Sequence, residues 1–254
     1  MVSLLTWLER VFIFFPTQYP AGQWEAKSDM IEDVWFKTED GVKLHGWFLP
    51  ASDTKDVILF VHGNAGNMSD RLPRMNRLHE GLQASIFMFD YRGYGRSEGQ
   101  PSVEGVLKDI TAAQDYLAAR LQMAPSKLIL MGRSLGAVVA VYGAATKGAR
   151  GLILESAFSS FVDVAEAIYP WLPAKSVLRR DIQAADLIER YHGPLLQSHG
   201  TSDQIIPIEL GLKVFQAAHE PKEFVKWPGC DHNDPPPLDY DQRLKSFLKS
   251  LPSP

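Results

Sequence analysis

Short unbroken apolar runs recur along this chain at Val57 to Val61, Ser85 to Phe89, Lys127 to Met131, Gly151 to Leu154 and Pro194 to His199, with a shorter one at Phe224 to Trp227. Runs of this kind mark strands covered on both faces. Between them lie segments whose apolar residues repeat at helical spacing: about Asp70 to Leu82, Ser102 to Leu121, Leu135 to Thr146, Ile208 to Ala218 and Asp239 to Leu251. The alternation predicts a mostly parallel sheet flanked by helices, an α/β architecture. Ahead of it, Ile31 to Phe36 and Val42 to Phe48 enclose Glu39-Asp40-Gly41 and read as a β-hairpin. Sites in such sheets gather at the carboxyl ends of the strands, so the polar residues that follow each apolar run carry the functional question.

The first 15 residues, MVSLLTWLERVFIFF, have a different character. They are too short, and too interrupted by Glu9-Arg10, for a spanning helix. They also lack the positive start of a secretory signal. Leu4, Leu5, Leu8, Val11, Phe12 and Phe15 share one face at helical spacing. The readings are a helix packed on the domain, an interfacial helix making peripheral contact with a membrane through residues 1–15, or a degenerate signal anchor. The expected organisation is an apolar helix over residues 1–20 and a single α/β domain over 21–254, with a short lid segment around 156–193.

Composition narrows the choices. The chain has 254 residues, 26 Lys+Arg against 30 Asp+Glu, and 45% hydrophobic residues. Size scaling gives a folded surface of roughly 11,000 Å², enough for one large core. The mild acidity and scattered charge argue against nucleic acid as a partner. A single cysteine, Cys230, permits neither an internal disulfide nor a cysteine zinc cluster. The expected location is cytoplasmic, with or without membrane association.

After the run ending at Met131 comes Gly132-Arg133-Ser134-Leu135-Gly136, then a helical pattern. This is G-x-S-x-G in a strand–turn–helix context, where the glycines permit a tight turn and the serine sits at its tip. A serine hydroxyl needs an adjacent base. Of seven histidines, His232 lies on the loop after the last apolar run. Asp203 follows the run Pro194 to His199 and would orient that imidazole; Glu155, at the end of the run Gly151 to Leu154, is its competitor. An oxyanion hole needs amides aimed at the developing charge. The expected donors are Leu135, which follows the nucleophile, and Asn64, in the loop His62-Gly63-Asn64-Ala65-Gly66-Asn67. Arg133, beside the nucleophile, either pairs with Glu155 or another carboxylate or reaches an anionic substrate group.

Together these residues resemble the α/β-hydrolase superfamily, over about Asp33 to Leu251. Phe89-Asp90-Tyr91-Arg92-Gly93-Tyr94-Gly95-Arg96-Ser97 is similar to the D-Y-R-G-x-G-x-S stretch of that superfamily, and the order Ser134, Asp203, His232 is its order. The segments Phe60 to Asn67 and His232-Asn233-Asp234 resemble a lid-poor branch that contains eukaryotic hydrolases removing palmitate from proteins. The resemblance implies an eight-stranded sheet, a Ser/Asp/His triad and no cofactor. The depalmitoylating members carry a cysteine-rich N-terminus, which this chain lacks.

The connection from Ser156 to Gly193 is short for a cap domain and rich in large apolar groups. Phe158, Tyr169, Trp171 and Leu172 are the expected acyl-site residues, against the plainer expectation that they pack a helix on the sheet. The leading expectation is a serine esterase acting on a small-molecule ester or acylated substrate, short soluble esters included. An acyl-protein thioesterase is the alternative; a peptidase, a non-catalytic interaction protein and a membrane-recruited module stand behind it.

Overall fold

The computed structural model describes residues 13–253, apart from 53, 170 and 172–180. Its centre is an eight-stranded sheet. In chain order the strands are β1 (Phe15–Pro16), β2 (Glu32–Lys37), β3 (Lys43–Leu49), β4 (Val57–Val61), β5 (Ala65–Gly66), β6 (Ser85–Phe89), β7 (Ile129–Arg133), β8 (Gly151–Glu155), β9 (Leu195–Gly200) and β10 (Lys222–Trp227). The main sheet runs β10-β9-β8-β7-β4-β6-β3-β2, and only β3 opposes the other strands. The helices are α1 (Leu72–Leu82), α2 (Val103–Arg120), α3 (Leu135–Lys147), α4 (Phe161–Ile168), α5 (Ala184–Ile188), α6 (Ile208–Ala217) and α7 (Tyr240–Ser250).

The apolar runs are continuous because both sheet faces are covered. Along β4, Val57, Leu59 and Val61 face one cluster, which takes in residues from α2 to α6. Ile58 and Phe60 face the other, which takes in α1 and α7. β8 divides in the same way, Leu152 and Leu154 against Ile153. The Asp90-to-Ser97 segment is a brace between these layers. Arg92 donates to Asp109 at 2.8 Å and to Asp40 at 2.9 Å, tying α2 to the hairpin turn. Asp90 accepts the Met68 amide at 2.7 Å and so fixes the loop that follows β4.

The amino-terminal segment departs from expectation. Residues 15–20 are not helical: β1 pairs in parallel with β5, Phe15 beside Ala65 and Pro16 beside Gly66. Proline at 16 and 20 cannot donate within a helix. The Asn64 side chain takes up the freed backbone groups, with its Nδ2 donating to the Ile13 carbonyl and its Oδ1 accepting from the Phe15 amide at 3.2 Å. Thr17 and Tyr19 then donate to Gly66 and Gly95. The remainder of the predicted helix, residues 1–12, lies outside the described residues. Among those described, no helix is long and apolar enough to cross a membrane.

Candidate active site

β7 passes into α3 through one residue, Ser134, at φ 55° and ψ −122°. A non-glycine residue held at positive φ carries about 1–3 kcal/mol of strain that its surroundings must over-determine. Here they do. A Cβ at Gly132 would stand 2.1 Å from the Gly136 carbonyl oxygen, and one at Gly136 would stand 2.0 Å from that of Val61. Only glycine lets strand, turn and helix approach so closely. The Ser134 amide is anchored to the Glu155 carbonyl at 2.9 Å. Its hydroxyl is left at the head of α3, whose positive dipole end faces it.

The loops after β9 and β10 bring two more side chains to this point. His232 Nε2 lies 3.2 Å from Ser134 Oγ, and its Nδ1 lies 2.8 Å from Asp203 Oδ2. Asp231 holds the histidine loop, its Oδ1 accepting from the amides of Gln204 and His232. Asp203 Oδ1 accepts from the amides of Ile205 and Ile206 at 3.0 and 2.7 Å. Burial alone would raise the Asp203 carboxyl. Hydrogen bonds from His199, His232 and the Ile206 amide outweigh burial and hold it well below the ordinary carboxylate range. His199, buried at the end of β9, therefore contributes to the charge state of Asp203, an effect its position in an apolar run did not signal.

Glu155, the competitor for the acid position, is elsewhere engaged. It is fully buried and pairs with Arg74 at 2.6 Å. Its Oε2, with Arg74 Nε and Nη1, is buried without a partner among the described residues. Breaking such a pair leaves a desolvated charge. Arg74→Met is expected to lower stability by about 3 kcal/mol in urea unfolding; a loss below about 1 kcal/mol would mean that the pair is solvated.

Ser134 and His232 border a cleft of about 560 Å³, together with Gly63, Asn64, Phe15, Ile205, Pro235 and Pro236. The amides of Asn64 and Leu135 have no acceptor among the described residues. The Leu135 amide is orphaned because it lies in the first turn of α3. A larger hollow of about 710 Å³ lies by the hairpin and α2, and none of Ser134, Asp203 and His232 borders it.

Of the expected acyl-site residues, the three that are described do not border this cleft. Phe158 is buried in the core, its ring 5.4 Å from that of Phe161. Tyr169 and Trp171 are exposed and pack on each other, outside the cleft. Leu172 lies outside the described residues. For Phe158 the physical reason is that it covers the sheet, with Phe161, Val162 and Ile182 of the same connection. The cleft walls instead carry Arg71, Arg74, Arg77 and Arg133, against Asp70 and Glu155. Arg133 pairs with no carboxylate among the described residues; its Nη2 donates to the carbonyls of His232 and Asp234. The first three arginines did leave a sequence signal: positions 71, 74 and 77 share one face at helical spacing.

Comparison with known proteins agrees with this fold. Residues 58–203, more than half of the chain, match the family model described as "Alpha/beta hydrolase family". The chain is 38% identical over 245 residues to an uncharacterized protein of Mycobacterium tuberculosis, MT2364, covering 96% of this chain and 87% of that protein. It is 34% identical over 263 residues to the alpha/beta hydrolase domain-containing protein WAV2 of Arabidopsis thaliana, covering 92% and 84%. Among solved structures, an esterase of Pyrococcus furiosus superposes with a TM-score of 0.75 at 20% identity, covering 94% of this chain and 97% of that one.

Proposed function

Because this chain belongs to the alpha/beta hydrolase family, we propose that it is a serine hydrolase of carboxylic esters. The observation that carries the reading is the continuous hydrogen-bonded line from Ser134 through His232 to Asp203, at 3.2 and 2.8 Å. Similarity in fold to solved esterases, the Pyrococcus protein among them, supports the same reaction class.

The chemistry follows from the geometry. Ser134 Oγ attacks the ester carbonyl carbon as His232 Nε2 takes its proton. Asp203, ionised, holds Nδ1–H and favours the imidazolium that forms. The carbonyl oxygen becomes an oxyanion, stabilised by the Leu135 and Asn64 amides, each worth on the order of 3 kcal/mol. The C–O bond to the alcohol breaks, and the alcohol leaves with the proton from Nε2. Water then repeats the sequence on the acyl-serine, releasing the acid and restoring the hydroxyl. A thioester enters the same cycle with a thiol as leaving group, so acyl thioesters are the alternative substrates.

Labelling with a fluorophosphonate probe tests the reading. The native protein is expected to be labelled and Ser134→Ala to remain unlabelled. A folded native protein that stays unlabelled would remove the serine hydrolase assignment and bring forward a non-catalytic role for the fold.

A further inference from the structure

The cleft at Ser134 is positively charged in a chain whose net charge is −4. Its four arginines are not equivalent. Arg74 is matched by Glu155, and Arg77 by Asp241 at 2.9 Å. Arg71 and Arg133 pair with no carboxylate among the described residues. Arg71 spends only Nη2, on the Ala65 carbonyl at 2.7 Å. Arg133 likewise spends only Nη2, on two backbone carbonyls. Each therefore retains Nη1 and Nε with no acceptor in the described protein.

The two guanidinium groups also feel each other. Burial lowers the Arg71 pKa; Asp70 opposes that shift and the charge of Arg133 adds to it. Asp70 is partly spent elsewhere, its Oδ2 accepting the Asn67 amide in a helix cap. Two half-desolvated cations sharing one wall repel, and an anion between them removes the repulsion. Planar guanidinium edges match carboxylate and phosphate oxygens better than they match any neutral group.

We propose that the cleft selects esters bearing a carboxylate or phosphate group, held by the free edges of Arg71 and Arg133 while Ser134 attacks the ester carbonyl. This rests on the serine hydrolase reading and deepens it. The covalent steps are those already given: acyl C–O cleavage with water as co-reactant, and no bond to the anionic group is made or broken. Arg133 is also a positioning residue, since its contacts brace the loop of His232. Arg71 has no hydrogen bond to Ser134 or His232 among the described residues, which makes it the cleaner probe.

The test compares three soluble butyrate esters of para-substituted phenols: the carboxylate (para-butyryloxybenzoate), the phosphate (para-butyryloxyphenyl phosphate) and the neutral carboxamide. Native protein is expected to show kcat/KM at least about tenfold higher for one or both anionic esters than for the carboxamide. Raising salt should erode that preference. Arg71→Gln should lose most of the preference and Arg71→Lys should keep much of it. Decanoyl homologues separate the two sources of such a group: a further rise with chain length marks an anionic lipid, and no rise marks a small soluble acid.

Equal rates on charged and neutral esters, in protein that fluorophosphonate labels, would overturn the anion preference and leave the hydrolase reading standing. A preference that survives in Arg71→Gln would overturn the assignment to Arg71. A folded protein that fluorophosphonate does not label overturns both proposals at once.

Discussion

Asp203→Asn is expected to slow ester hydrolysis about 10⁴-fold while the protein stays folded. The amide can keep the hydrogen bonds that Oδ1 accepts from Ile205 and Ile206. Its Nδ2–H₂, however, now faces His232 Nδ1, 2.8 Å away in the native protein. Two donors cannot share that contact, so Nδ1 becomes the acceptor and the ring proton moves to Nε2. The nitrogen 3.2 Å from Ser134 Oγ then carries a proton and cannot take another. Steady-state kinetics on a short soluble ester reads the effect. A loss of less than tenfold would mean that another group orients His232. The carboxylate also has a stability signature. Its folded pKa is depressed, so its stabilisation is fully present above the unfolded value near pH 4 and is lost as pH falls through the folded one. Acid unfolding curves of native and Asp203→Asn protein should therefore converge as the pH falls below about 4.

Much of this architecture was legible because burial on two faces leaves an unmistakable mark. β4, β6 and β8 are apolar at nearly every position, and their neighbours at the sheet centre follow suit. The order of the strands was not legible. Nothing in Val57–Val61 states that it lies between β6 and β7; that follows from long-range pairing. That Ser134, Asp203 and His232 come together was readable because each lies on the turn or loop after an apolar run, at one end of the sheet. Phe158 was misplaced for an energetic reason. It gains more by covering the sheet than by lining a cleft open to water, and it is buried there beside Phe161. Phe15, which does border the cleft, sits there through the grip of Asn64 on the backbone, which residue spacing does not encode.

Gly136→Val is expected to cost at least about 5 kcal/mol, the lower end of a domain's whole stability. A bare Cβ at position 136 already meets the Val61 carbonyl oxygen at 2.0 Å and that of His62 at 2.6 Å. Both obstacles are backbone, and Val61 sits in β4 at the middle of the sheet, so neither can swing aside as a flexible side chain would. Relief requires α3 to move off β4 and β7, which would empty part of the larger core and carry Ser134 away from His232. Gly81 provides the contrast. It lies near the end of α1, and a Cβ there meets nothing within 4 Å. Gly81→Ala is therefore expected to raise stability by about 0.5–1 kcal/mol, through reduced freedom of the unfolded chain. Urea unfolding of the two variants beside the native protein measures both effects. Native-like stability in Gly136→Val would show that the strand and helix are not held at the separation that strains Ser134, and the proposed nucleophile would lose the constraint that aims it.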